Sequence, residues 1–188
     1  FFAIQENRRK QLAIEAIQLA LKNPILVQAV DEAVAVLQSS IPVTDLFLLY
    51  LDEDMEGRAQ IQYIIYKDAR KAYDSVDRAL PGLDKLLAEK GAAVLETGGG
   101  DLAAFMPEGG LSETKLIDGL VKTTLVGRMV LRPRDGSAFS LANREIIQIF
   151  TEALRQRMVD FNREKKALRK SFSPEVVLLG WRREDVSQ

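Results

Sequence analysis

Three clusters in this 188-residue chain have residue types and spacing that could do chemistry. Gly98-Gly99-Gly100, followed by Asp101, could cradle a phosphate through backbone N–H groups. A phosphate loop also needs a strand before it, a helix N-terminus after it and commonly a Lys beside Ser or Thr. Here Asp101 follows and no Lys does, so the run reads as the hinge of a lid. Asp52-Glu53-Asp54-Met55-Glu56 offers carboxylates to calcium but lacks the ligand spacing and closing Glu of a known loop. It reads as a solvated hairpin tip. Arg128 interrupts the apolar run Leu125-Val126-Gly127-Arg128-Met129-Val130-Leu131. Facing a pocket, it would pair with an anionic ligand; on the opposite face it would snorkel to solvent. Alternation groups Arg128 with Val126 and Val130 and leaves the choice of face open. Tyr66, Phe105 and Thr123 are placed by position as further candidate ligand-binding residues, each of a type that also serves as plain core.

What is missing narrows the chemistry. The chain has no Cys and no His. That removes the Ser-His-Asp triad, thiol nucleophiles, structural zinc and haem held by His or Cys. No metal site, no cofactor and no enzymatic activity are expected. The formal net charge is −1 with no long block of either sign, so no nucleic-acid face is expected. No apolar run approaches the ~20 residues that span a bilayer. A cytoplasmic location is expected, since zero Cys fits a reducing compartment. The opening Phe1-Phe2 without Met points to a piece of a larger protein.

These side chains need elements to position them. Ile14, Ile17 and Leu21 repeat at helical spacing over 4–22 until Asn23-Pro24. Leu26, Val30, Ala33 and Leu37 give a second helix one apolar face to about Ser39, with Pro42 beyond it. Residues 43–52 are apolar on both faces, as in a strand covered on both sides. A turn at 52–57 returns the chain as a strand over 61–67. Residues 68–90 are polar and helix-prone, interrupted by Pro81-Gly82, with Gly91 closing the helix 83–90. Ala92 to Glu96 is expected as a short strand and 97–101 as a loop. Strands are expected over 115–123 and 125–132, then a helix capped by Ser140 and running to about Lys170. Ser173-Pro174-Glu175 has the form of a fresh helix start. Hairpin-linked strands with helices collected at the ends predict an α+β fold, an antiparallel sheet with the terminal helices packed on one face and an irregular helical lid on the other. A small-molecule pocket is expected beneath that lid.

The last helix carries a seam, Ile147, Phe150, Leu154, Met158, Phe161 and Leu168, at steps of three, four, four, three and seven. A 30-residue helix is ~45 Å long, so residues 155–170 are expected to overhang the sheet and pair in parallel with a second copy. The expected homodimer interface comprises Ile14, Ile17, Leu21, Leu154, Met158, Phe161 and Leu168.

The run 125–131, the turn Asp135-Gly136, Phe139-Ser140 and the helix through Ile146 and Ile149 together resemble a GAF domain. The resemblance extends over about 25–165. It implies a GAF/PAS-like antiparallel sheet, a regulatory role in signal transduction and an unidentified small-molecule ligand. Asn143-Arg144 with Phe150 echoes only part of the family's cyclic-nucleotide signature, so nucleotide binding is not implied. Leu168 to Val177 is similar to the linker before class III nucleotidyl cyclase domains. The implied organisation is an N-terminal signalling or dimerisation helix (1–24), the GAF-like domain (25–165) and a linker (166–188) toward an output domain such as a nucleotidyl cyclase. The alternative reading is a ligand-free module that pairs output domains, its pocket filled by Phe105 and Met106.

Overall fold

A computed structural model describes residues 2–171 apart from Met55, Leu120 and Lys122. Two helices open it, α1 (Phe2–Ala20) and α2 (Leu26–Ser40). Strands β1 (Val43–Glu53), β2 (Ala59–Lys67) and β3 (Arg70–Asp74) follow. Next come α3 (Pro81–Lys90), a 3₁₀ turn (Gly91–Ala93), and the short helices α4 (Val94–Thr97) and α5 (Gly99–Leu102). Strands β4 (Ser112–Ile117) and β5 (Leu125–Pro133) lead into α6 (Leu141–Ser171). The five strands form one antiparallel sheet in the order β3-β2-β1-β5-β4. The fold is α+β, as expected.

Strand β1 lies at the centre, and its alternation divides the core. Leu46, Leu48 and Tyr50 join α1, α2 and α6 in one apolar cluster. Phe47, Leu49 and Leu51 join Leu83, Val94, Leu95 and Leu102 of the lid in another. Ser140 caps α6, its hydroxyl accepting the N–H of Asn143 at 3.2 Å. Asn23 turns the chain between α1 and α2 by accepting the N–H of Ile25 at 3.0 Å.

Several expectations are corrected. Residues 70–74 form an edge strand, joined to β2 through Asp68 and Ala69, both at positive φ. Backbone N–H groups fasten that turn, Asp68 to the Asp45 carboxylate at 2.9 Å and Ala69 to the Thr44 carbonyl at 2.8 Å. Pro81 opens α3 instead of interrupting a helix, because its missing N–H is no loss in the first turn. Residues 92–96 are helical, not a strand. Val94 and Leu95 are consecutive and both buried in the lid cluster, which a helix allows and a flat alternating strand does not. Gly99 to Leu102 is a helical turn, so only Gly98, at φ +60, breaks the lid there. Strand β4 ends at Ile117, and Thr123 sits in the exposed loop beyond it.

The seam of α6 is also corrected. Leu154, Met158, Ile17 and Leu21 are buried within the single chain, in the core between the helices and the sheet. Ile14 is half-buried, Phe161 packs against the same core, and Leu168 is half-exposed. The anticipated overhang is small because β1 is long, 11 residues or ~36 Å. Helix α6 follows it to the hairpin tip. Asn162 donates to the Leu51 carbonyl at 3.0 Å, Lys165 pairs with Asp52, and Lys166 and Arg169 lie 3.8 Å from Glu53. Helix α1 belongs to the same core. Arg157 of α6 donates to the carbonyls of Leu21, Asn23 and Pro24, tying the turn between α1 and α2 to α6. The proposed helix start at 173–175, and the linker beyond 171, lie outside the described residues.

Candidate functional site

The lid face is organised around one buried charge. Strand β5 carries a bulge: Leu116 pairs with Gly127 and Ile117 with Leu125, leaving Val126 unmatched. Val126 therefore packs with the helices, while Arg128 and Val130 point to the lid. Glycine is required at 127, where a Cβ would lie 2.7 Å from the Leu49 carbonyl oxygen. Arg128 is only 2% exposed. Its Nε and Nη2 donate to the Leu95 carbonyl at 2.9 and 2.8 Å, and its Nη1 pairs with Glu113 of β4. Gly98 passes so close that a Cβ there would lie 3.1 Å from Nη1. Burial lowers the Arg128 pKa and the negative charge of Glu96 works against that. The guanidinium remains a cation at any physiological pH. It satisfies a carbonyl at the end of α4 that has no partner within so short a helix. Arg128 is thus the pin that holds the lid to the sheet.

At the other end of the lid, α3 stands off β2 and leaves a cleft of about 420 Å³. Ser75 and Asp84 supply its polar side chains and Ile61 and Leu87 its apolar wall, while Gln60 and Gln62 border it at the edge of β2, sharing the parity of Ile64 and Tyr66 on the opposite face of the sheet. Asp84 lies in the first turn of α3. The Tyr63 hydroxyl donates to Asp84 at 2.7 Å and accepts the N–H of Leu80 at 2.8 Å, tying the start of α3 to β2. The hydroxyl is pushed up to about 12, mainly by burial, with Asp84 adding to the rise and the Leu80 amide opposing it. The Ser75 hydroxyl accepts the N–H of Tyr63 at 3.2 Å and donates to the Tyr63 carbonyl at 3.5 Å. A hydroxyl, a carboxylate and the backbone edge of β2 suit binding of a small neutral or cationic polar molecule.

The four candidate ligand residues are not brought together. Arg128 and Phe105 share the lid face. Phe105 lies against Gly82 at the start of α3, where a Cβ would be 3.3 Å from its ring. Tyr66 lies on the helical face, with its hydroxyl on Asp31 of α2. Thr123 is exposed in the β4–β5 loop. Sequence reading missed two groupings. One is the cleft with Asp84, for which Pro81 as a helix start was the available signal. The other is a half-buried charge cluster in which Lys71 reaches Asp31 at 3.1 Å and the buried Asp74 at 2.7 Å beside Tyr66. Burial works against the Asp74 carboxylate, yet Lys71 and the N–H groups of Asp77 and Val76 hold its pKa below the usual value. Burial likewise opposes the Lys71 ammonium, and Asp74 and Asp31 raise its pKa above the usual value.

The other two chemical candidates are occupied by the chain itself. Asp54 accepts the N–H groups of Glu56 and Arg58 and closes its own hairpin turn. Asp101 pairs with Lys90 at 2.6 Å, which fastens the glycine run to α3. Among the described residues no group of three or more carboxylates is placed to hold a metal ion, and no helix is long and apolar enough to cross a membrane. Compared with known proteins, the chain matches no family model and no curated protein.

Proposed function

We propose that this chain is a GAF-like regulatory module of a cytoplasmic signalling protein. It holds a small polar molecule in the cleft between β2 and α3 and passes that state to an output domain, such as a nucleotidyl cyclase, through a homodimer. It carries out no chemistry of its own. The observation that supports this reading is the unequal hold on the lid. The lid is pinned at Arg128 and open at the 420 Å³ cleft beside α3. A ligand bridging the backbone edge of β2 and the Asp84 carboxylate would draw α3 toward β2 and load the strands of the sheet. Only a ligand with different affinity for the two lid positions would shift their balance.

A ligand-free pairing module is the second reading. It is favoured by how well the rest of the lid face is filled: Leu83, Val94 and Leu102 are fully buried, Phe105 and Met106 pack against them, and the Arg128 charge is already matched. Native mass spectrometry of the protein as purified separates the two. The sensing reading expects a small extra mass on the protein, lost when Ser75→Ala and Asp84→Ala are combined. A bare mass, together with a melting temperature unmoved by a panel of polar metabolites, would contradict sensing and leave the pairing reading.

A further inference from the structure

The buried side of α1 is used by the core, but its opposite side carries an ordered pattern. Ile4, Arg8, Leu12, Glu15 and Leu19 follow one another at steps of four, four, three and four, which places them on one narrow stripe. All five are exposed. The three apolar members are 71%, 61% and 70% exposed, while Ala13, Ile17, Ala20 and Leu21 on the far side are buried. The four outer members are arranged symmetrically, and Leu12 lies half a residue from their centre. Ile4 and Leu19 are equidistant from the midpoint between Gln11 and Leu12, and so are Arg8 and Glu15. A two-fold axis through that midpoint sets apolar against apolar and cation against anion in both copies at once. Among the described residues Arg8 has no ion-pair partner, and Glu15 has only a hydrogen bond from Gln11 at 3.0 Å.

From this symmetry we infer that α1 pairs antiparallel with α1 of a second copy, Ile4 against Leu19 and Arg8 against Glu15. A two-fold interface is made of one patch facing itself, so it needs opposite charges at mirrored positions, as this stripe has. An unrelated partner gives no reason for that mirror symmetry. The inference rests on the reading above only for its use, since a pairing surface would join two regulatory modules. It relocates the contact from the buried seam of α6 to the free side of α1.

Sedimentation of the full chain across a concentration series tests it. The wild type is expected to dimerise. Leu12→Glu is expected to be monomeric and folded, with the melting temperature of wild type diluted below its dimer dissociation constant. Arg8→Glu and Glu15→Arg should each raise the dimer dissociation constant about tenfold through like-charge contacts, and the double exchange should restore it. Because the chain has no Cys, a spin label on Leu19→Cys reports a single site. Antiparallel pairing places the two labels at least ~22 Å apart along the helix direction, and parallel pairing places them side by side. A monomeric wild type, a dimer that survives Leu12→Glu, a double exchange that fails to restore pairing, or closely spaced labels would each overturn the inference. A bound small mass on the protein is read independently, so loss of this interface and loss of the sensing reading are distinguishable.

Discussion

The two faces of the sheet are covered in opposite ways. On one, helices α2 and α6, of 15 and 31 residues, pack on the strands, the 19-residue α1 packs against both, and together they bury one apolar cluster. On the other, the cover is one 10-residue helix, a 3₁₀ turn and two 4-residue helices, held by a few apolar side chains and one buried guanidinium. A long helix on a continuous core opens only when the whole fold opens. Short elements with few anchors can detach alone, and responsive segments come from that class. The helical face is thus the frame, and the lid is the part that can move against it.

The comparison is broken most strongly from the frame side. Phe150 is fully buried beneath α6, so Phe150→Ala is expected to cost about 4 kcal/mol. Both faces should then lose structure in one denaturant transition. Next comes the pin. Arg128→Met removes the donors to the Leu95 carbonyl and should cost about 2 kcal/mol. Its effect should be local: proteolytic cleavage within 91–104 should speed up while cleavage in α6 does not. An unchanged cleavage pattern would mean that Arg128 does not hold the lid.

A smaller effect is set by pH. The folded pKa of Asp74 lies below its ordinary 3.8, so its contribution is present above about pH 4 and lost as pH falls through the folded value. The folded pKa of Lys71 lies above 10.5, so its contribution is present below that and lost as pH rises through the folded value. Stability should therefore be level between about pH 5 and 10 as far as this pair is concerned. Asp74→Asn should flatten the acid limb in urea melts taken from pH 2 to 6. The smallest change is expected at the start of α6, where Ser140→Ala removes a cap worth about 1 kcal/mol. It should show as a small shift in the urea midpoint.

Legibility in the sequence follows the same division. The frame is written in long periods: Leu26, Val30, Ala33 and Leu37 mark α2, and the doubly apolar run at 43–52 marks the central strand. The lid is written in single residues whose meaning depends on tertiary contacts. The turn at Asp68-Ala69 has no Gly to announce it, yet contacts from Thr44 and Asp45 hold both residues at positive φ and create β3. Val94-Leu95 reads as strand until the burial of both on one side makes it helix. Arg128 could not be assigned a face because the bulge at Val126 shifts the alternation by one residue. The seam of α6 was visible, but its partner was not. The same spacing serves an intermolecular coil and a helix lying on its own long strand, and only the length of the β1–β2 hairpin decides between them.

The central claim is that the lid opens while the frame holds. Native-state hydrogen exchange on the intact protein tests it most directly. The account predicts that amides in α3 and α5 exchange through openings well below the global unfolding free energy, while those of β1, β5 and the middle of α6 exchange only with global unfolding. A single free energy shared by lid and frame would contradict it.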